Sequence, residues 1–142
     1  MEQRGMSAFE LLIVLSVVGI VAAVAFPDYS TPASEYQLDS TVREMTFDLH
    51  LARMKAISRN KRFRVSFNPD RDTYTLQEEG LSGWQTAEPT KSLPVGIDLV
   101  RAGTPVFESS GRTDGRITIT LRNPEGRSRI VTVSIAGRVK TS

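Results

Sequence analysis

The 142-residue sequence has no cysteine and a single histidine, His50. The first absence excludes a disulfide framework and any thiolate metal site; the second excludes a His-rich one. A paired-carboxylate motif, a nucleophile elbow, a phosphate loop and a metal-ligand cluster are all missing, so neither an enzyme nor a bound cofactor or metal is expected. His50 adjoins an apolar helical stripe and reads as a buried or half-buried structural residue. Internal repeats and low-complexity runs are absent. Acids are missing locally. Residues 53–64 hold six basic side chains and none of opposite sign, 65–110 hold three basic against seven acidic, and 111–142 hold seven basic against two acidic. The formal net charge of +2 therefore conceals a basic end facing an acidic middle. Such an arrangement suits side-by-side packing of subunits or a patch for a polyanion.

What is abundant is apolar chain near the start. Leu11 to Phe26 carries no charge, and the apolar segment Ala8–Phe26 contains one ionisable group, Glu10. As a helix that segment spans about 28 Å, close to one bilayer. A carboxylate there is costly, roughly 2.5–3.5 kcal/mol at mid-membrane and less near the edge, and usually has a task. A secretory signal peptide is the rival reading, since Ala23-Val24-Ala25 has the form of a small-x-small cleavage site. Against it stand Glu10 inside the apolar run, a scarcely basic leader, and Pro27 followed by further helical pattern.

Beyond the polar stretch Asp28 to Ser34, Leu38, Val42, Met45, Leu49, Ala52 and Ala56 recur at steps of four and three. This spacing predicts an amphipathic helix over about 35–58, laid on a sheet, with Asp39, Arg43, Asp48 and Arg53 off the apolar stripe. From about residue 61 the period becomes two. Lys61–Phe67 and Thr73–Glu78 form one predicted hairpin around Asn68-Pro69-Asp70, and Val95–Val100 a short strand. The final hairpin pairs Ile117, Ile119 and Leu121 with Val131, Val133 and Ile135. Gly80 to Pro94 reads as irregular, with Trp84 covering a core edge. The expected class is α+β: a long N-terminal helix, bent near Pro27, membrane-spanning in its first half and packed in its second on a small antiparallel sheet over about 61–139.

The order Arg4-Gly5-Met6-Ser7-Ala8-Phe9-Glu10-Leu11-Leu12, leading into the apolar helix, resembles the N-terminus of type IV prepilins. The resemblance implies three parts: a leader peptide at 1–5, a transmembrane and assembly helix at 6–27, and a periplasmic globular domain at 28–142. It implies cleavage between Gly5 and Met6 by prepilin peptidase and N-methylation of Met6, a departure from the family's usual phenylalanine. Gly5 suits a protease that needs close approach to the backbone. Glu10 would then pair with the new amine of a neighbouring subunit and set axial register. Partners implied are other pilin or pseudopilin subunits, the peptidase, the inner membrane and the assembly platform.

Leu51-Ala52-Arg53-Met54-Lys55-Ala56-Ile57, Val106-Phe107-Glu108-Ser109-Ser110-Gly111 and the ending Arg129 to Val139 resemble the GspH/FimT group. These are minor pseudopilins and minor pilins near the tip of a type II secretion pseudopilus or type IV pilus. Some members are implicated in DNA capture through a C-terminal Gly-Arg-x-Arg. Here the stretch is Gly137-Arg138-Val139-Lys140, to which Arg122, Arg127 and Arg129 could add charge. DNA is an alternative partner and not the favoured one: lysine lacks the guanidinium fork, and alternate strand positions face opposite ways.

Overall fold

The computed structural model describes residues 8–25 and 30–142, and the chain divides into two units, residues 1–30 and 31–142. Gly5, Met6 and Pro27, and with them the cleavage point and the expected bend, lie outside the described residues. In the first unit α1 (Ala8–Ala25) is an 18-residue helix. Its sequence gives no polar stripe, so it is apolar on every side.

The helix α2 (Ser30–Arg59), all but its first residue in the second unit, begins about five residues earlier than its periodicity indicates. Pro32 marks a break in the pattern, but it falls in the first turn, where a missing N–H loses no intrahelical bond. The helix ends by a left-handed residue, Asn60 (φ 50°), and the Lys61 amide reaches back to the Ala56 carbonyl at 3.2 Å. Asparagine tolerates that conformation better than most side chains.

The strands are β1 (Phe63–Asn68), β2 (Thr73–Gly80), β3 (Gly83–Thr86), β4 (Lys91–Ser92), β5 (Asp98–Ala102), β6 (Val106–Phe107), β7 (Ile117–Arg122), β8 (Ser128–Val133) and β9 (Val139–Thr141). They form two antiparallel sheets where the sequence indicates one. Sheet A has the order β3-β2-β1-β6 with β4 also beside β2, and sheet B the order β5-β7-β8-β9. Pro89, Pro94 and Pro105 break the chain between the hairpins, and proline cannot donate to a central ladder. β6 consequently returns to β1 while β5 pairs with β7. Both hairpins have the expected partners, Val65 opposite Leu76 and Ile119 opposite Val131. Val95 is not in a strand and is exposed; Ile97 and Leu99 fill the core in its place. Ile135 likewise lies past the end of β8 and is exposed.

One core joins these layers. The α2 stripe Leu38, Val42, Met45, Leu49, Ala52 and Ala56 packs in a single buried cluster with Phe63 and Val65, Phe107, Ile119 and Leu121, and Val131 and Val133. Each large side chain so buried stabilises the fold by roughly 1.5–3 kcal/mol relative to exposure. Trp84 is not part of the cluster. It is half-buried on the outer face of sheet A, where Arg64 lies 4.4 Å and Arg62 5.9 Å from its ring centroid. It pairs across from Glu79, and alternation turns that register position away from the helix.

Candidate functional site

The basic run at the end of α2 does not form a free patch. Arg59 and Lys61 both bind Glu78, at 2.7 and 2.6 Å, Arg62 binds Glu79 at 3.0 Å, and Lys55 pairs with Glu88. The acidic middle of the sequence thus pairs four of the six cations of the run with three carboxylates, Glu78, Glu79 and Glu88, within the same subunit. Antiparallel pairing of β1 with β2 brings Glu78 and Glu79 beside the end of α2 and the start of β1, so much of this charge asymmetry is used within the subunit. Glu78 and Glu88 are held below the usual carboxylate range, first by their lysine hydrogen bonds.

Of the five C-terminal cations that the sequence offers for DNA, Arg127 and Arg129 are committed to α2. Arg127 binds Glu35 at 2.7 Å, and Arg129 binds Asp39 at 2.9 Å with Glu35 further off at 3.7 Å. Arg138 and Lys140 are exposed and make no ion pair among the described residues. No observation on this surface favours DNA over other partners.

Three features escape a reading of the sequence. Asp48, off the core stripe of α2 by its spacing, is buried; it accepts hydrogen bonds from the Tyr74 hydroxyl at 2.6 Å and from Lys91 at 2.8 and 3.0 Å. Burial, then the Asp48 hydrogen bond, pushes the Tyr74 phenol well above its ordinary value of 10.0; Asp48 likewise raises Lys91. Both folded values exceed the unfolded ones, so their stabilisation is complete below about pH 10 and lost as pH rises further. Urea midpoints of the wild type are expected to fall between pH 9 and pH 11. Tyr74→Phe should fall less steeply, and an equal fall in both would contradict the assignment. His50 corrects a second reading: it is exposed on α2, not buried.

The third feature is that three large apolar residues stand on the side of α2 opposite the core stripe, among Ser40, Arg43 and His50. Tyr36, Phe47 and Met54 are 71%, 64% and 56% exposed. Eighteen residues, five turns, separate Tyr36 from Met54, and Phe47 lies about 20° from them, diametrically opposite the core stripe. Phe47 also borders a hollow of about 260 Å³ lined by Leu51, Val65, Leu76 and Pro89, with Asp48, Glu88 and Lys91 among its lining residues. In α1, exposed large apolar residues run from Phe9 to Val21, and Glu10 is exposed among them. Among the described residues no helix is long and apolar enough to cross a membrane. The span inferred over 6–27 has both its ends outside them.

No group of three or more His, Asp or Glu side chains is placed to hold a metal ion among the described residues. The chemistry on view is association, with apolar helix surface unsuited to water. A long helix on antiparallel sheets, with a second and predominantly apolar helix before it in sequence, defines the pilin-like class of filament subunits. The family model "Type II transport protein GspH" matches residues 41–137. Similar solved structures include the minor pseudopilin EpsH from the type 2 secretion system of Vibrio cholerae, at 19% identity. It covers 75% of this chain and 96% of that one, with a TM-score of 0.65. The type IV minor pilin FimU of Pseudomonas aeruginosa is 18% identical, covering 76% of this chain and 90% of that one, with a TM-score of 0.62. The chain belongs to the GspH family and is a subunit of the minor pseudopilin and minor pilin kind.

Proposed function

We propose that this subunit occupies a low-copy position near the tip of a type II secretion pseudopilus or type IV pilus, after processing by prepilin peptidase. Before assembly it sits in the bacterial inner membrane by a single pass over 6–27, with the domain 28–142 in the periplasm. Cleavage between Gly5 and Met6 frees an amine that is N-methylated. Glu10 of one copy neutralises that amine on a neighbour, and Pro27 bends the spine between membrane and domain. The assembly platform of the host machine extracts the helix. Lipid is already apolar, so transfer into the filament is nearly balanced and needs external work.

The observation that carries this reading is α1, an 18-residue helix with Leu12, Leu15, Val18 and Val21 each more than half exposed and Glu10 near its start. Only lipid or other helices can cover such a surface. An acid that slips out of register in that setting loses its partner, which costs several kcal/mol. Glu10→Ala is therefore expected to leave maturation intact and reduce recovery in sheared or purified filaments by about tenfold or more. Intact mass of the mature chain supplies the second test. A start at N-methyl-Met6 supports the proposal, retention of residues 1–5 in an assembled filament opposes it, and a bulky residue at Gly5 is expected to block cleavage.

A further inference from the structure

The outer face of sheet B has a charge pattern that none of the intramolecular ion pairs uses. On β7, Ile119 and Leu121 point into the core, so Thr118, Thr120 and Arg122 face outward, as does Arg116 just before the strand. Arg101 of β5 pairs across from Thr120, and Lys140 of β9 from Thr132 of β8. Arg138 and Lys140 flank Val139, which packs on the core, so both point away from it. The face holds five cations, Arg101, Arg116, Arg122, Arg138 and Lys140, against one carboxylate, Asp98, a net +4. None of the five is in an ion pair among the described residues, in contrast to Arg127 and Arg129 on the inner side.

We infer that this face is a docking surface for an acidic protein partner, with Arg101 and Arg116 receiving its carboxylates. Those two arginines border one hollow of about 400 Å³ that Thr118 also lines. A guanidinium fork takes a carboxylate in two places, so a pair flanking one recess specifies position as well as charge. The layout favours protein. The cations lie around a centre of threonines and the 40%-exposed Ile130, so the rim is charged and the centre mixes hydroxyl and apolar surface. A phosphate backbone has no use for an exposed isoleucine, which an apolar side chain of a protein partner can cover. The surface extends the assembly reading without depending on it, because its test reads binding by the purified chain and not incorporation into a filament.

The test uses full-length protein in detergent micelles, a fluorescein-labelled peptide of alternating glutamate and leucine, and a DNA duplex of matched charge. Anisotropy at low salt is expected to show peptide binding that fades as salt screens the charges. The double variant Arg101→Glu, Arg116→Glu should weaken it about tenfold or more, from two charge contacts of modest strength each. Arg71→Glu, in the turn between β1 and β2, should leave it unchanged. If charge reversal impairs folding by circular dichroism, Arg101→Gln with Arg116→Gln replaces it, with a smaller loss expected. Absent peptide binding, an equal affinity in the double variants, or tighter binding of DNA than of peptide would each overturn the inference.

Discussion

Gly137→Ala is expected to be among the most damaging single substitutions in the domain. Gly137 has φ +71° and faces a second left-handed glycine, Gly111, at φ +75°. A Cβ at position 137 would stand 2.0 Å from the Gly111 carbonyl oxygen and 3.0 Å from Arg53 Nε. Backbone cannot move aside as a flexible side chain can. The Gly111 and Gly137 amides each close a tight turn, to the carbonyls of Glu108 and Ser134 respectively, both at 2.7 Å. Thr113 ties the two turns together, its hydroxyl bonding the Ser134 carbonyl at 2.9 Å and its amide the Ile135 carbonyl at 3.0 Å. Left-handed strain and overpacking together cost about 3–5 kcal/mol, a fall of roughly 10–20 °C in Tm for a domain this size. Gly126→Ala is the control. It has φ +82° with no atom within 4 Å of the added Cβ, so only the conformational cost remains, about 1–2 kcal/mol. Equal melting shifts for the two variants would show that the close approach of Gly137 to Gly111 carries no weight.

The second large effect is expected at Asp48. Removing its carboxylate by Asp48→Ala leaves the Tyr74 hydroxyl, in a residue only 6% exposed, without its acceptor. A buried group deprived of its partner costs about 1–3 kcal/mol, whereas Lys91, 43% exposed, turns to water at little cost. Adding Tyr74→Phe to Asp48→Ala removes the orphaned hydroxyl, so the double variant is expected to be less destabilised than the sum of the singles. Urea unfolding of the four proteins gives that coupling directly. Strict additivity would mean that the short Asp48–Tyr74 hydrogen bond contributes nothing beyond solvent.

These two sites also mark where the order of residues stops being informative. The apolar helix, the core stripe of α2, and the two hairpins with their turns all rest on local periodicity, so their existence and partners are legible from residue order alone. The group-specific segments that contain Gly111 and Gly137 are visible as motifs. Their physical meaning is not, because the two glycines are far apart in sequence and meet only when the β8–β9 turn folds against the chain before β7. Asp48 lies off the core stripe of α2 by its spacing: helical spacing says where around the helix a residue stands, not whether a β4 lysine and a β2 tyrosine will cover it. The size of Trp84 suggests a core position, and only its register opposite Glu79 turns it outward beneath two arginines.

Charge divides along the same line. Sequence alone established how many cations and acids there are and that an uncompensated glutamate opens a greasy helix, since composition and short-range order suffice for both. Only the tertiary structure decided which charges are already satisfied. The β1–β2 ladder sets Arg59, Lys61 and Arg62 against Glu78 and Glu79, and α2 claims Arg127 and Arg129, while the outer face of sheet B keeps its five cations unpaired among the described residues. The physical reason is that an ion pair depends on separation in space, falling off within angstroms, whereas the chain records only separation in order.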